Sequence, residues 1–198
     1  TEDGHGRNVA IGHNTLFALN AGTDAYNVAI GYDAGTSVTT GVLNTIIGGL
    51  SGDALTSGSR NVAVGYNALG SEDTGSRSTA VGYFALNSQN SGSSGNYNIA
   101  LGYNAGKEVT TGVQNTVIGS LAGDALTEGS NNIIIGYDAA ASAVNVSNEV
   151  TIGNSSIANV RIPSDSTLKI GASGDLQIEH VSSNSFIKNT AVGDLYIE

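Results

Sequence analysis

Short apolar phrases closed by glycine set the rhythm of this chain. Residues 27–35 read NVAIGYDAG and residues 98–106 read NIALGYNAG, with weaker copies between them. Aligned on the closing glycine, the copies fall at Gly12, Gly31, Gly48, Gly65, Gly82, Gly102, Gly119, Gly136, Gly153 and, more faintly, Gly171. Successive spacings of 19, 17, 17, 17, 20, 17, 17, 17 and 18 residues define a 17-residue period. A longer unit overlies it, because residues 27–69 match residues 98–140 at 27 of 43 positions. That match reads as a block of about four coils duplicated whole.

Within each phrase the residue before the glycine is Ile11, Ile30, Ile47, Val64, Val81, Leu101, Ile118, Ile135 and Ile152, followed by Ile170 in the faint copy. Eight of the first nine are β-branched, as a half-buried strand prefers. Two positions earlier stand Val9, Val28, Thr45, Val62, Thr79, Ile99, Thr116, Ile133 and Val150, on the same face because strand side chains alternate. This pattern predicts that face to point into the core. The residues between the two run Ala10, Ala29, Ile46, Ala63, Ala80, Ala100, Val117 and Ile134, then turn polar at Thr151 and Lys169. A second apolar face on the same strand needs a cover, and self-association about an axis would supply one.

Seventeen residues suit one coil of a parallel β-solenoid or β-roll, built from two short strands and two turns and stacked at about 4.8 Å per coil. The fold class is therefore all-β, with about ten coils in a rod on the order of 45 Å long. Helix is disfavoured, since the apolar spacing is two and a glycine in each coil would cost a helix about 1 kcal/mol. The change in the second face divides the chain into a repeat region, 1–148, and a β-rich C-terminal continuation, 149–198.

Two further columns recur. Asn8, Asn27, Asn44, Asn61, Asn98, Asn115 and Asn132 open the strands, where a short amide can satisfy turn backbone and stacked neighbours. Tyr32, Tyr66, Tyr83, Tyr103 and Tyr137 directly follow the glycine. They read as an aromatic stack, with a sugar-binding stripe as the functional alternative. The glycine itself supplies a turn conformation or a close approach of coils.

Composition agrees with a rod of small residues. Of 198 residues 28 are Gly, one is Pro, none is Trp, and only 12% are charged, about half the usual share. A net charge of -10 argues against nucleic acid or an anionic membrane as partner, because both demand clustered Lys and Arg. No apolar run is long enough to insert in a membrane. Without Cys there is no disulfide framework or thiol chemistry. Without Met the chain reads as processed or as a piece of something longer.

The repeats RNVAIGHNTL, NVAIGYDAG, NTIIGGLSGDALTSGSRNVAVGYNAL and NTVIGSLAGDALTEGS resemble the head repeats of trimeric autotransporter adhesins. With GYNAG and AGDALT wording they are also similar to bacteriophage tail-fibre-like proteins, as is the C-terminal GASGDLQIEHVSSNSFIKNTAVGDLYIE. The resemblance spans nearly the whole chain. It implies a parallel β-roll assembled as a homotrimer, a virion fibre outside the cell or a bacterial surface adhesin, and attachment to a host cell-surface glycan or protein. Other fibre or virion proteins would be its neighbours.

Signals for chemistry are weak. A glycan depolymerase, the enzymatic alternative, needs two carboxylates about 5–10 Å apart, and the candidates Asp53, Glu72, Asp73 and Asp124 stand in Gly- and Ser-rich turns. His5, His13 and His180 lack a recognisable triad context. His13 fills the post-glycine slot that Tyr fills elsewhere, and only a trimer axis would gather three copies around a metal. No catalytic, metal or cofactor residue is assigned. A subunit of an extracellular bacterial filament is the third reading, and the turns at 70–77 and 87–97 are the first place to seek receptor contacts.

Overall fold

The computed structural model describes residues 6–92, 95–157, 167–170, 176–181 and 184–189. They form two units, Thr1–Ser156 and Ile157–Glu198, with no helix among the described residues. The first is a β-solenoid of about eight turns. Its nine three-residue strands are β1 (Val9–Ile11), β2 (Val28–Ile30), β3 (Thr45–Ile47), β4 (Val62–Val64), β5 (Thr79–Val81), β6 (Ile99–Leu101), β7 (Thr116–Ile118), β8 (Ile133–Ile135) and β9 (Val150–Ile152). They pair in chain order as one parallel sheet, with Val28 opposite Thr45 and Ala29 opposite Ile46.

Each coil holds one strand where the period suggested two, and the rest is turn. The turns are nonetheless bonded to the next coil as regularly as the strands. Gly48 N donates to Ile30 O, Leu50 N to Tyr32 O, Gly52 N to Ala68 O and Thr56 N to Asp73 O, all at 2.8–2.9 Å. Backbone groups that would otherwise be buried unpaired are thereby satisfied without a second strand.

The faint tenth copy does not continue the solenoid. β10 (Thr167–Ile170) pairs antiparallel with β11 (Leu176–Val181), which pairs antiparallel with β12 (Asn184–Asn189). This three-stranded sheet belongs to the second unit, whereas Val150–Ile152, within the expected 149–198 continuation, is the ninth strand of the solenoid; Gly171 lies outside the described residues.

The expected direction of the strand faces is reversed. The central residues Ala29, Ile46, Ala63, Ala80, Ala100, Val117 and Ile134 have no exposed surface and form the core. The pre-glycine column of Ile11, Ile30, Ile47, Val64, Val81, Leu101, Ile118, Ile135 and Ile152 points outward, half-buried from Ile30 to Val81 and at Ile118, and exposed at Ile11, Leu101, Ile135 and Ile152. The reason is room. A coil with a single short strand encloses a narrow lumen, and the lumen is filled by small residues plus one larger apolar side chain per turn.

That larger residue comes from a column the phrase alone does not reveal, Leu19, Val38, Leu55, Val109 and Leu126, seven positions after each glycine and all buried. A second exchange of volume occurs four positions after the glycine. Where the strand centre is Ala63 or Ala80 this position is Leu69 or Leu86; where the centre is Ile46 or Val117 it is Gly52 or Gly123. A Cβ on Gly123 would stand 3.1 Å from Ile134 Cδ1 and 3.2 Å from Val117 Cγ1; the coils centred on Ala29 and Ala100 instead carry Gly35 and Gly106, where a Cβ would meet Ile46 Cδ1 at 2.9 Å and Leu86 Cδ2 at 3.1 Å, side chains of the neighbouring coils.

Candidate functional site

Four columns make the chemistry of this rod. The asparagine column opens each strand, fully buried from Asn27 to Asn132. Nδ2 of Asn27, Asn44, Asn61, Asn98 and Asn115 donates to the carbonyl of Gly41, Gly58, Gly75, Gly112 and Gly129 at 2.8–2.9 Å. Each Oδ1 accepts the backbone N–H of the column residue one coil on, as when Asn44 N donates to Asn27 at 2.8 Å and Asn61 N to Asn44 at 2.9 Å. The amide thus satisfies a turn and its stacked neighbour together, as its position in the sequence predicts. Glu149 ends the column. Hydrogen bonds from the Ser142 hydroxyl and amide hold its carboxyl below the usual range.

The glycine column is required twice over. Gly12 through Gly136 adopt φ between +129° and +144°, and a Cβ on Gly65 would overlap the carbonyl oxygen of Gly82 in the next coil. Both conditions exclude any other residue.

The post-glycine column is aromatic and exposed. His13 stacks on Tyr32 with ring centroids 5.4 Å apart, Tyr66 on Tyr83 at 5.5 Å, and Tyr83 on Tyr103 at 5.3 Å, with planes within 17° of parallel. Phe84 braces the middle of this stack edge-on, 4.5 Å from Tyr83. The column is broken at two places, Gly49 and Ser120, leaving Tyr137 without a ring in the coil before it. A parallel column just before the asparagines carries Arg7 over Tyr26 and Arg77 over Tyr97, each 5.5 Å from the ring centroid.

The fourth feature is a buried polar cluster that the sequence reading missed. Glu72 and Gln89 occupy the lumen column held by Leu or Val in other coils, and both are fully buried. Glu72 Oε1 accepts Gly75 N at 2.7 Å; its Oε2 accepts Gln89 Nε2 at 2.8 Å and Asn96 Nδ2 at 2.6 Å. Gln89 also donates to Ser78 Oγ at 3.0 Å and accepts from Asn98 Nδ2 at 2.6 Å. Ser78 is the one interior position where the asparagine column lapses. A shorter side chain there leaves space and an open donor, and Gln89 supplies both volume and partners. Glu72 is therefore a lumen residue, and the 70–77 turn that holds it lies in register with its neighbours. The three residues that lengthen the next coil, Gly82 to Gly102, to 20 fall in the 87–97 turn.

The remaining acidic candidates are dispersed. The Asp73 carboxylate accepts from the Thr56 hydroxyl. Burial pushes the Asp53 carboxyl up, opposed by the backbone N–H groups of Asp53 and Ala54 and reinforced by the charge of Asp33. His13 Nδ1 lies 3.8 Å from Asp33 Oδ1; the placement of His5 and of the His180 side chain is outside the described residues. Among the described residues no three His, Asp or Glu side chains are gathered to hold a metal ion, and no helix is long and apolar enough to cross a membrane. A cleft of about 200 Å³ lined by Leu126, Ala141 and Val144 lies at the last coil, where the residue seven positions after the glycine, Ala143, is exposed.

The fold defines a parallel β-solenoid repeat protein. No protein family, curated protein or solved structure matches the chain.

Proposed function

We propose that this chain is a non-enzymatic segment of an extracellular fibre or adhesin, a rigid rod that associates as a homotrimer and acts in host attachment, as in a phage tail fibre. The observation that carries the reading is the outward aliphatic ridge. Val9, Ile11, Ile99, Leu101, Ile133, Ile135, Val150 and Ile152 are all 37% or more exposed, and they line up along one face for the length of the stack. The pre-glycine column is aliphatic in every coil, while Thr45, Thr79 and Thr116 interrupt the column beside it; an exposed aliphatic ridge of this kind suits an association surface, and copies of the same rod would match it coil for coil. The inward turn of the alanines moves the expected subunit contact from the small residues to the large ones, which strengthens the case, since larger side chains bury more apolar area.

Solution mass by light scattering, with circular dichroism on the same sample, tests this. A β-rich particle of about 60 kDa, three times the 19.9-kDa chain, is expected. Ile30→Lys with Ile118→Lys should return it to a folded single chain. A wild-type chain that is well folded and 19.9 kDa in solution would sink the homotrimer.

A further inference from the structure

The last coil of the solenoid departs from the repeat in several columns at once. In earlier coils the column asparagine accepts, through Oδ1, the backbone N–H of its counterpart one coil on, and Asn132 still takes Glu149 N in this way at 2.9 Å. Glu149 turns its carboxylate back into its own coil. Oε1 accepts Ser142 N and the Thr151 hydroxyl, both at 2.9 Å, and Oε2 accepts the Ser142 hydroxyl. Thr151 itself stands at the strand centre, where β2 to β8 carry Ala, Ile or Val. Glu149 and Thr151 are half-buried, whereas Asn132 and Ile134 one coil earlier are buried.

The backbone leaves the path of the coils at the same level. Gly153 has a φ of +83°, against +129° to +144° for Gly12 through Gly136. In the coils before it, the N–H two residues after the glycine donates to the post-glycine carbonyl of the preceding coil, as Leu121 N does to Tyr103 O at 2.8 Å and Asp138 N to Ser120 O at 2.9 Å. Here a side chain takes over that bond. Asn154 Nδ2 donates to Tyr137 O at 3.0 Å, and its Oδ1 accepts Ser156 N at 3.0 Å. Asn154 occupies the column of stacked rings, so it satisfies the coil behind it and offers no ring to a coil ahead.

We propose that Glu149, Thr151 and Asn154 form an end cap that closes the β9 edge to a further coil, above all to a coil of a second copy of this chain. An open sheet edge is a template for another strand, and a charged residue pointing inward blunts it. A tenth coil would have to strip water from the Glu149 carboxylate and would find its oxygens already engaged by Ser142 and Thr151. Terminal repeats of solenoids carry a polar outer face for the same reason. The chain's own next strand conforms, since β10 pairs antiparallel with β11 in a separate sheet. The first coil, by contrast, keeps the repeat chemistry. Asn8 Oδ1 accepts Asn27 N at 2.7 Å, Gly12 holds a φ of +136°, His13 stacks on Tyr32, and Ala10 at the strand centre is exposed. A head-to-tail contact joins unlike ends and propagates into an open filament unless one end refuses it. The cap therefore removes end-to-end growth, which a filament subunit would need, and leaves lateral association as the route to assembly.

Restoring the repeat residues tests the cap. Glu149→Asn with Thr151→Ala and Asn154→Tyr gives the last coil the side chains of the coils before it. The solution mass of the full chain is read by light scattering over a concentration series, with electron microscopy of the same samples. The wild-type mass is expected to stay constant, whether the particle holds one chain or three. The uncapped variant is expected to rise with concentration in whole multiples of that particle, as rods lengthened along their axis. A variant with wild-type circular dichroism whose mass never leaves the wild-type value, or a wild type that itself lengthens end to end, would overturn the proposal. Should the triple variant not fold, hydrogen exchange of Glu149→Ala reads the cap directly. Its Ser142 amide should exchange about tenfold faster than in the wild type, with the Asn44 and Asn61 amides unchanged; unaltered exchange at Ser142 would equally overturn the cap. The homotrimer is judged separately, by the wild-type mass alone.

Discussion

Adjacent glycines in one coil do different work, and a single added methyl group separates them. Gly48→Ala puts a Cβ into the next coil's carbonyl and forces an alanine to a φ of +129°. The backbone strain alone costs about 1–3 kcal/mol, and a larger loss of stability is expected in denaturant melts. Gly49→Ala meets only an ordinary contact and should leave the midpoint within about 0.5 kcal/mol. Asp53 gives a pH test at the same scale. Burial raises its folded pKa above the unfolded value of about 3.9, so its adverse contribution is absent below that value. It grows as pH rises through the folded pKa, because the native state must then carry a poorly solvated charge. Asp53→Asn should therefore melt higher than wild type at pH 7, with the difference closing near pH 4; an equal gap at both pH values would assign the effect to shape and not to charge.

At the scale of the element, the lumen column explains what could and could not be read in advance. The period, the parallel stacking, the asparagine bonds and the glycine requirement were legible, because each imposes one residue type at one spacing. The direction of the strand was not, since Val-Ala-Ile is apolar on both sides and alternation cannot say which side is inside. The deciding signal lay outside the phrase, in the leucines seven positions after the glycine and in the Leu-for-Gly exchange at position four. Glu72 and Gln89 were legible only once that column was known, as polar residues where other coils place Leu55 or Leu126. Glu72→Ala would strand Gly75 N and the amides of Gln89 and Asn96, each at about 1–3 kcal/mol. Glu72→Leu with Gln89→Leu restores the apolar column and should recover part of that loss. Thermal melts of the single and double variants decide it, and a double variant no more stable than the single would show that the polar cluster is needed as a unit.

At the scale of the solenoid, stability is shared between neighbouring coils, because each of its strands pairs only with the strands before and after it among the described residues and the core divides into two apolar clusters, Leu16 to Leu55 and Ala63 to Ala139. In such one-dimensional stacks a local defect weakens its two interfaces and leaves distant coils in place. The Glu72 region lies close to that division.

The hydrogen bonds that join each residue to its counterpart one coil later also make reach a heritable quantity. A whole coil added to or removed from the gene keeps the backbone bonds in register across the cut, and the match of residues 27–69 to residues 98–140 reads as such an event four coils long. Each added coil alters the span by about 4.8 Å, whereas extra residues within a coil must be taken up in a turn if the strands are to stay paired, and Val81 still meets Leu101 in register across the longer coil. Lineages carrying this rod can therefore tune how far it extends in discrete steps, without renegotiating the sequence of its walls.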